Sequence, residues 1–141
     1  MIPGKNAVSY DFELSCELPE TPEVVYTAWL SSEGHSDMTG GKAEASNVVG
    51  AAYSAWDGYI KGRNVELTPF TRIVQTWRTS QFPEGHPDST ITIELTPIDT
   101  GTRLKLTHRG VPDGQTSYER SGWREFYFEP MQAYFSERDE D

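Results

Sequence analysis

GWREFYFEPMQAYF, Gly122 to Phe135, sets six aromatic residues in fourteen positions, and how it coils decides the fold. Just before it, "TSYE" has the Thr-x-x-Glu spacing of a capping box, with Thr116 as N-cap and Glu119 three residues on. A helix of about 19 residues and roughly 28 Å can therefore run from there to Phe135. At about 100° per residue, Phe126, Trp123, Tyr134, Tyr127, Met131, Phe135 and Phe128 fill an arc of roughly 200°, wider than a helix on one flat surface needs. A curved sheet can wrap that arc. Pro130 inside the helix removes a donor and crowds the carbonyl of Phe126, which predicts a kink. Gly122 is costly in a helix unless another backbone passes close to it. Arg124 projects into the arc near its N-terminal end and is expected to reach solvent or a carboxylate at the rim.

The sheet is sought upstream. "STITIELT" alternates Ile91, Ile93 and Leu95 against Thr90, Thr92, Glu94 and Thr96, and "TRLKLTHR" alternates Leu104, Leu106 and His108 against Arg103, Lys105, Thr107 and Arg109. Each strand is dry on one face and wet on the other. Turn signals at Asp57-Gly58, Thr68-Pro69, "FPEGHPD" and Asp99-Thr100-Gly101 divide residues 42 to 109 into five or six antiparallel strands. In "YIKGRNVEL" the apolar parity changes between Ile60 and Val65, which a bulge at Gly62 would repair.

At the other end of the chain, "SYDFELSCEL" puts Tyr10, Phe12, Leu14 and Cys16 on one side of a strand. "ETPEVVYTAWL" follows with Thr21 as a cap, Pro22 at the first helical position, and Val25 and Trp29 one turn apart. "SSEGHSDMTGG" reads as a short polar connection with room for one helical turn, and His35 in it is expected to be exposed, as is His86 in "FPEGHPD". The fold class is α+β: a curved antiparallel sheet of about six or seven strands wrapped around a long C-terminal helix, with one or two short helices after the first strand. Residues 1–141 form one domain, with 1–8 as an N-terminal arm and 136–141, "SERDED", as a solvated acidic tail.

A net charge of −10 and a pI near 4.7 repel phosphate backbones and anionic head groups, so neither nucleic acid nor a membrane surface is an expected partner. The longest uncharged run near the middle, "ASNVVGAAYSAW", is too short and polar to span a bilayer, and the first residues lack the apolar core of a signal peptide. A cytoplasmic setting is expected. Cys16 is the lone cysteine, excluding an internal disulfide and any cysteine-based metal cluster.

The order of elements resembles the helix-grip fold of the START and Bet v-like superfamily. Within it, Gly62, Glu66, Pro69, Arg72 and Ile73, followed by Trp77, match the Gly-x-x-x-Glu-x-x-Pro-x-x-Arg-Ile pattern of the family named for the activator of the heat-shock chaperone ATPase. "FPEGHPDSTITIELTP", "GTRLKLTHRGVP" and Gly122-Trp123 extend the likeness, which covers Ser9 to Phe135. The resemblance implies either a co-chaperone-like module or one of the free-standing relatives. In the eukaryotic co-chaperone the similar part is the C-terminal half only.

A helix held by a bent sheet tends to leave a space between them. Candidate lining residues are Trp123, Tyr127 and Met131 from the helix, Trp77, Ile93, Leu106 and His108 from the dry sheet face, and Trp56 and Met38 nearby. The competing reading is ordinary core, because aromatic stripes commonly just pack. His108 either meets a loop carbonyl or offers a titratable donor whose burial favours the neutral form. The entrance is expected between "SSEGHSDMTGG" and "FPEGHPDST", with Arg124 and His108 as polar anchors.

No cofactor, metal or catalytic residue is expected. "HSD" at His35 to Asp37 is the one tight His/Asp pair, no Gly-x-Ser-x-Gly occurs, and "GGKAEAS" lacks P-loop spacing. Three readings follow: a non-catalytic protein enclosing a small, mainly apolar molecule; a chaperone-associated interaction module; and a cyclase or hydrolase of the superfamily using His108.

Overall fold

The two alternating segments form neighbouring strands whose apolar residues face one side. Ile91, Ile93 and Leu95 are buried beside Leu104, Leu106 and His108, with Ile93 opposite Leu106 and Leu95 opposite Leu104. The computed structural model of the chain describes residues 9–112 and 116–140. The strands are β1 (Ser9–Leu18), β2 (Ala52–Ala55), β3 (Ile60–Thr68), β4 (Arg72–Thr79), β5 (Ser89–Ile98) and β6 (Gly101–Pro112). They form one antiparallel sheet in the order β1-β6-β5-β4-β3-β2. Helices α1 (Pro22–Trp29) and α2 (Ser32–Thr39) follow β1, while α3 (Thr116–Trp123), a π-helical turn (Arg124–Phe128) and α4 (Glu129–Glu140) close the chain. This is the helix-grip architecture, with six strands. Among the described residues no helix is long and apolar enough to cross a membrane.

Helix α1 starts as its sequence dictates: Thr21 accepts the Val24 N–H on its side chain and Pro22 occupies the first turn. The polar connection after it is a full helix. Ser31 caps α2 by accepting the Gly34 N–H, and Gly40, at φ 87°, ends it in the left-handed region glycine tolerates. His35, Met38 and Thr39, three and four residues apart, turn inward together. His35 is therefore buried, contrary to the exposure expected from its polar neighbours, and so is His86, whose ring packs edge-on against Phe82.

The irregularity in β3 lies at Val65, not at Gly62. Asn64 pairs with Gln75 and Glu66 with Val74, so Val65 is the extra residue and points outward, half-exposed. Gly62 serves a different purpose: the Tyr53 ring crosses it to donate its hydroxyl to the Thr76 carbonyl at 2.6 Å. The family pattern becomes structural here, with Arg72 pairing Glu66 at 3.0 Å and Glu94 at 3.2 Å while Ile73 and Trp77 point inward. A second bulge shifts the β1–β6 register between Tyr10 and Phe12. There Gly110, at φ 78°, gives its N–H to Asp11, and Tyr10 is left exposed instead of joining Phe12 in the core.

In the closing segment, the strain from Pro130 is met by a wide π-helical turn immediately before it. Trp123, Tyr127, Phe128, Met131 and Phe135 are buried, whereas Phe126 is half-exposed, a departure from the expected arc. Among the described residues a Cβ built on Gly122 meets only the Phe126 ring, at 3.9 Å, and no second backbone presses on this glycine. The helix continues to Glu140, through most of the stretch expected as a tail. The expected cap by Thr116 and Glu119 and the arm at residues 1–8 lie outside the described side chains and residues.

Candidate functional site

Because the π turn lifts Phe126 away from the sheet, an apolar cleft opens between α3, the π turn and the far end of β4. Its volume is about 410 Å³, within the usual range for small-molecule sites. Trp77, Trp123, Tyr127, Ile60 and Thr79 are its buried residues, and Trp56, Tyr59, Gln81, Gly122 and Phe126 are the more exposed ones. None of these side chains is charged.

The floor is a stack of rings. Trp77 and Trp123 lie 4.8 Å apart at 29°, and Trp123 and Tyr127 lie 4.9 Å apart. The outer wall is Trp56, edge-to-face with Phe126 at 5.4 Å. Trp56 is set there by strain: it and Asp57 have φ of 51° and 58° in the β2–β3 turn, a costly conformation for side chains with a Cβ. Its ring lies flat on Gly41, where an added Cβ would come within 2.4 Å of Cε3.

Two polar chains run behind the rings and are closed within the protein. His35 Nδ1 lies 2.9 Å from the Trp29 carbonyl, which can only accept, so Nδ1 carries the proton and Nε2 accepts from the Tyr127 hydroxyl at 3.0 Å. Burial pushes His35 down to about 4 and lifts Tyr127 well above the ordinary phenol value. His108 has the opposite tautomer. Trp123 Nε1 donates to its Nδ1 at 3.1 Å, leaving Nε2 to donate to Ser89 Oγ at 2.8 Å, which in turn donates to the Trp77 carbonyl. Burial lowers His108 to about 3, so it is neutral with both nitrogens occupied, by side chains and not by a loop carbonyl.

A third chain links Trp29 Nε1 to Gln75 Oε1 at 3.0 Å, Gln75 to Asn64 at 2.8 Å, and Asn64 to the carbonyls of Ser46 and Val48. Of the four indole N–H groups, those of Trp29 and Trp123 are thus paired. Those of Trp56 and Trp77, whose rings line the cleft, are buried away from its open space and meet no acceptor among the described residues.

Four of the ten residues expected at the site come together in the cleft: Trp56, Trp77, Trp123 and Tyr127. Met38, Ile93, Leu106 and Met131 are packed in the core, His108 sits behind Trp123, and Arg124 is exposed at the first position of the π turn. Neither segment expected at the entrance supplies a lining residue. The sequence did not mark Tyr59, Ile60, Thr79, Gln81, Gly122 or Phe126 as lining residues. Tyr59 and Ile60 could have been reached from Trp56 through the Asp57-Gly58 turn, whereas a 3.6-residue period puts Phe126 in the inward arc and gives no sign that it turns out to the cleft rim.

The family described as Activator of Hsp90 ATPase homolog 1-like protein matches residues 20–136. The human protein "Activator of 90 kDa heat shock protein ATPase homolog 1" is 30% identical over 115 residues, which is 82% of this chain and 34% of that protein. The chain thus spans about a third of the length of the curated relatives it matches. Among solved structures, an HSP90 activator from Plasmodium falciparum superposes with a TM-score of 0.79 at 27% identity, covering 87% of this chain and 94% of that one. A protein from Chromobacterium violaceum superposes with a TM-score of 0.72 at 26% identity, covering 89% and 96%.

Proposed function

The chain belongs to the Activator of Hsp90 ATPase homolog 1-like family, and from that premise we propose that it is a binding protein which holds a small, mainly apolar molecule in the cleft between its sheet and its C-terminal helix. The observation that supports this reading most is the uncharged aromatic lining of the cleft, a preformed space with ring faces on its floor and outer wall. A core under selection for packing alone closes such a space, since a missing neighbour forfeits dispersion contacts on that side. Titration with Nile red, a neutral apolar dye, tests it. Wild type should raise the dye's fluorescence saturably, and Gly122→Leu, which pushes a side chain into the cleft, should abolish the rise while staying folded. Equal enhancement by the two proteins would put the dye elsewhere and refute the reading.

A second reading, a chaperone-associated module, is favoured by the names of the relatives, which include activators of a 90 kDa heat-shock protein. A net charge of −10 would steer such a module toward a basic surface, so association should weaken as salt rises. Purified chain added to a 90 kDa heat-shock chaperone should bind at low ionic strength and alter ATP hydrolysis. No complex at any salt concentration would remove this reading.

A further inference from the structure

A second groove lies at the other end of β3 and β4 from the cleft and shares no lining residue with it. Tyr26 and Leu30 of α1, Val49 of the loop before β2, Leu67 of β3, and Pro69 and Phe70 of the β3–β4 turn enclose about 570 Å³, and the rest of the lining is Thr, Ser and Asn. Two of the apolar residues are held out by the backbone around them. The Thr71 N–H closes the turn on the Thr68 carbonyl at 3.1 Å, with Pro69 second and Phe70 third. That third position has φ 67°, which a turn of this kind gives to glycine or asparagine. Phe70 takes on the strain yet stays 42% exposed, its ring contact among the described residues being Tyr26, edge-on at 5.5 Å. Val49, 60% exposed, is set by a buried clamp: the Asn64 side chain donates to the carbonyls of Ser46 and Val48, and the Gly50 N–H donates to the Asn64 carbonyl at 2.8 Å. Strain and buried polar bonds thus fix an apolar surface in solvent, where folding alone gains nothing from it.

The charge beside the groove identifies its occupant. Thr27 and Ser31 of α1 line it and also line a neighbouring groove against α2 and α4, whose lining holds Glu23, Glu33 and Asp37 and no Lys or Arg. All three carboxylates are exposed, and none joins an ion pair among the described residues. A second copy of this chain is a poor match, because each copy carries a charge of −10. The lining offers no open strand edge for an extended peptide to pair with, which favours a helix laid in the groove. We propose that this surface docks a cationic amphipathic helix of a partner protein, its apolar side chains against Leu30, Val49 and Phe70 and its Lys or Arg over Glu23, Glu33 and Asp37. The inference depends on neither reading above, since it holds whatever occupies the cleft and requires no chaperone.

Three peptides of about fourteen residues serve as probes: leucine and lysine patterned as an amphipathic helix, the same pattern with glutamate for lysine, and the same lysines with serine for leucine. Each is titrated into the ¹⁵N-labelled full chain. The peptide of leucine and lysine should shift the backbone signals of Thr27, Val49, Phe70 and Asp37 together and bind more weakly as salt rises. The other two should bind roughly tenfold more weakly or worse. Phe70→Asn suits the turn and removes the ring, so it should keep the fold and weaken the first peptide roughly fivefold. Glu33→Gln with Asp37→Asn should weaken it by a similar factor, whereas Glu84→Gln with Asp99→Asn, an equal change of net charge outside both grooves, should not. Shifts scattered over the acidic surface, equal affinity of wild type and Phe70→Asn, or equal effects of the two charge pairs would overturn the proposal. Groove signals that move on dilution without peptide would overturn it too, by making the occupant a second copy. The cleft, whose lining is separate, is tested by Nile red alone.

Discussion

Two glycines should respond to the same substitution with opposite signs. Gly122 lies in the last turn of α3, and a Cβ there finds only the Phe126 ring, at the ordinary contact distance of 3.9 Å. Alanine then gains helix propensity and loses unfolded-state freedom at no steric cost, so Gly122→Ala should stabilise the fold by about 0.5 to 1 kcal/mol. Gly62 in β3 is the reverse case. Its Cβ would stand 2.0 Å from the Thr76 carbonyl oxygen and 2.6 Å from the Tyr53 ring. That oxygen is backbone and already takes the Tyr53 hydroxyl, so neither neighbour yields cheaply, and Gly62→Ala should cost about 3 kcal/mol or more. Urea unfolding followed by far-ultraviolet circular dichroism reads both as midpoint shifts at unchanged slope. A Gly122→Ala midpoint below wild type by the equivalent of 1 kcal/mol would refute the open surroundings of that residue, and with them the cleft wall it forms.

Acidification should destabilise the protein through His35 and His108. Their folded values of about 4 and 3 lie below the unfolded value near 6.5, so the unfolded chain takes up protons first and stability falls as pH drops below about 6.5. At pH 5 the loss should be about 2 kcal/mol for each; equal urea midpoints at pH 7 and pH 5 would contradict the buried neutral assignment. Tyr127→Phe removes the donor to His35 Nε2 and should cost about 1 to 2 kcal/mol by the same assay. Phe128→Ala should cost about 3 to 5 kcal/mol as a buried ring, and Phe126→Ala about 1 kcal/mol or less; equal losses would show that the π turn does not turn Phe126 out.

The strands were legible wherever one face is dry, because alternation in β5 and β6 is a direct record of which side meets water. The α1 cap was legible for a similar reason, Thr21 and Pro22 being chosen by local backbone chemistry. Helix α2 carried its own signals in Ser31 and Gly40, yet its low apolar content hid them, and His35 was misplaced with it. The C-terminal helix was read at a fixed 100° per residue. The π turn breaks that rule: residues four and five apart share a face in a wider coil, so Tyr127 and Phe128 follow Trp123 inward while Phe126 swings out. Two of the cleft's lining residues, Phe126 and Tyr127, lie in that turn, and no residue announces it except Pro130 just beyond. Pairing of buried polar groups was likewise invisible, since Trp29, Gln75 and Asn64 meet only in three dimensions.

The strand order has a consequence for how the chain reaches this structure. Strands β2 to β6 follow one another as neighbours and can zip up through successive hairpins. β1, however, pairs only with β6, and the Thr102 hydroxyl that anchors the corner reaches Glu20, 82 residues away. Closing so long a loop is entropically slow compared with closing a hairpin. Were the meander to form first, the outer edge of β6 would stand bare until β1 arrived, open to pairing with another chain. Arg103, Lys105 and Arg109 on its wet face would keep such an edge cationic, and in the finished fold Glu17 and Glu13 of β1 pair with the first two. The same charges that rank as weak surface ion pairs in the finished fold would then serve as a guard on an unfinished one.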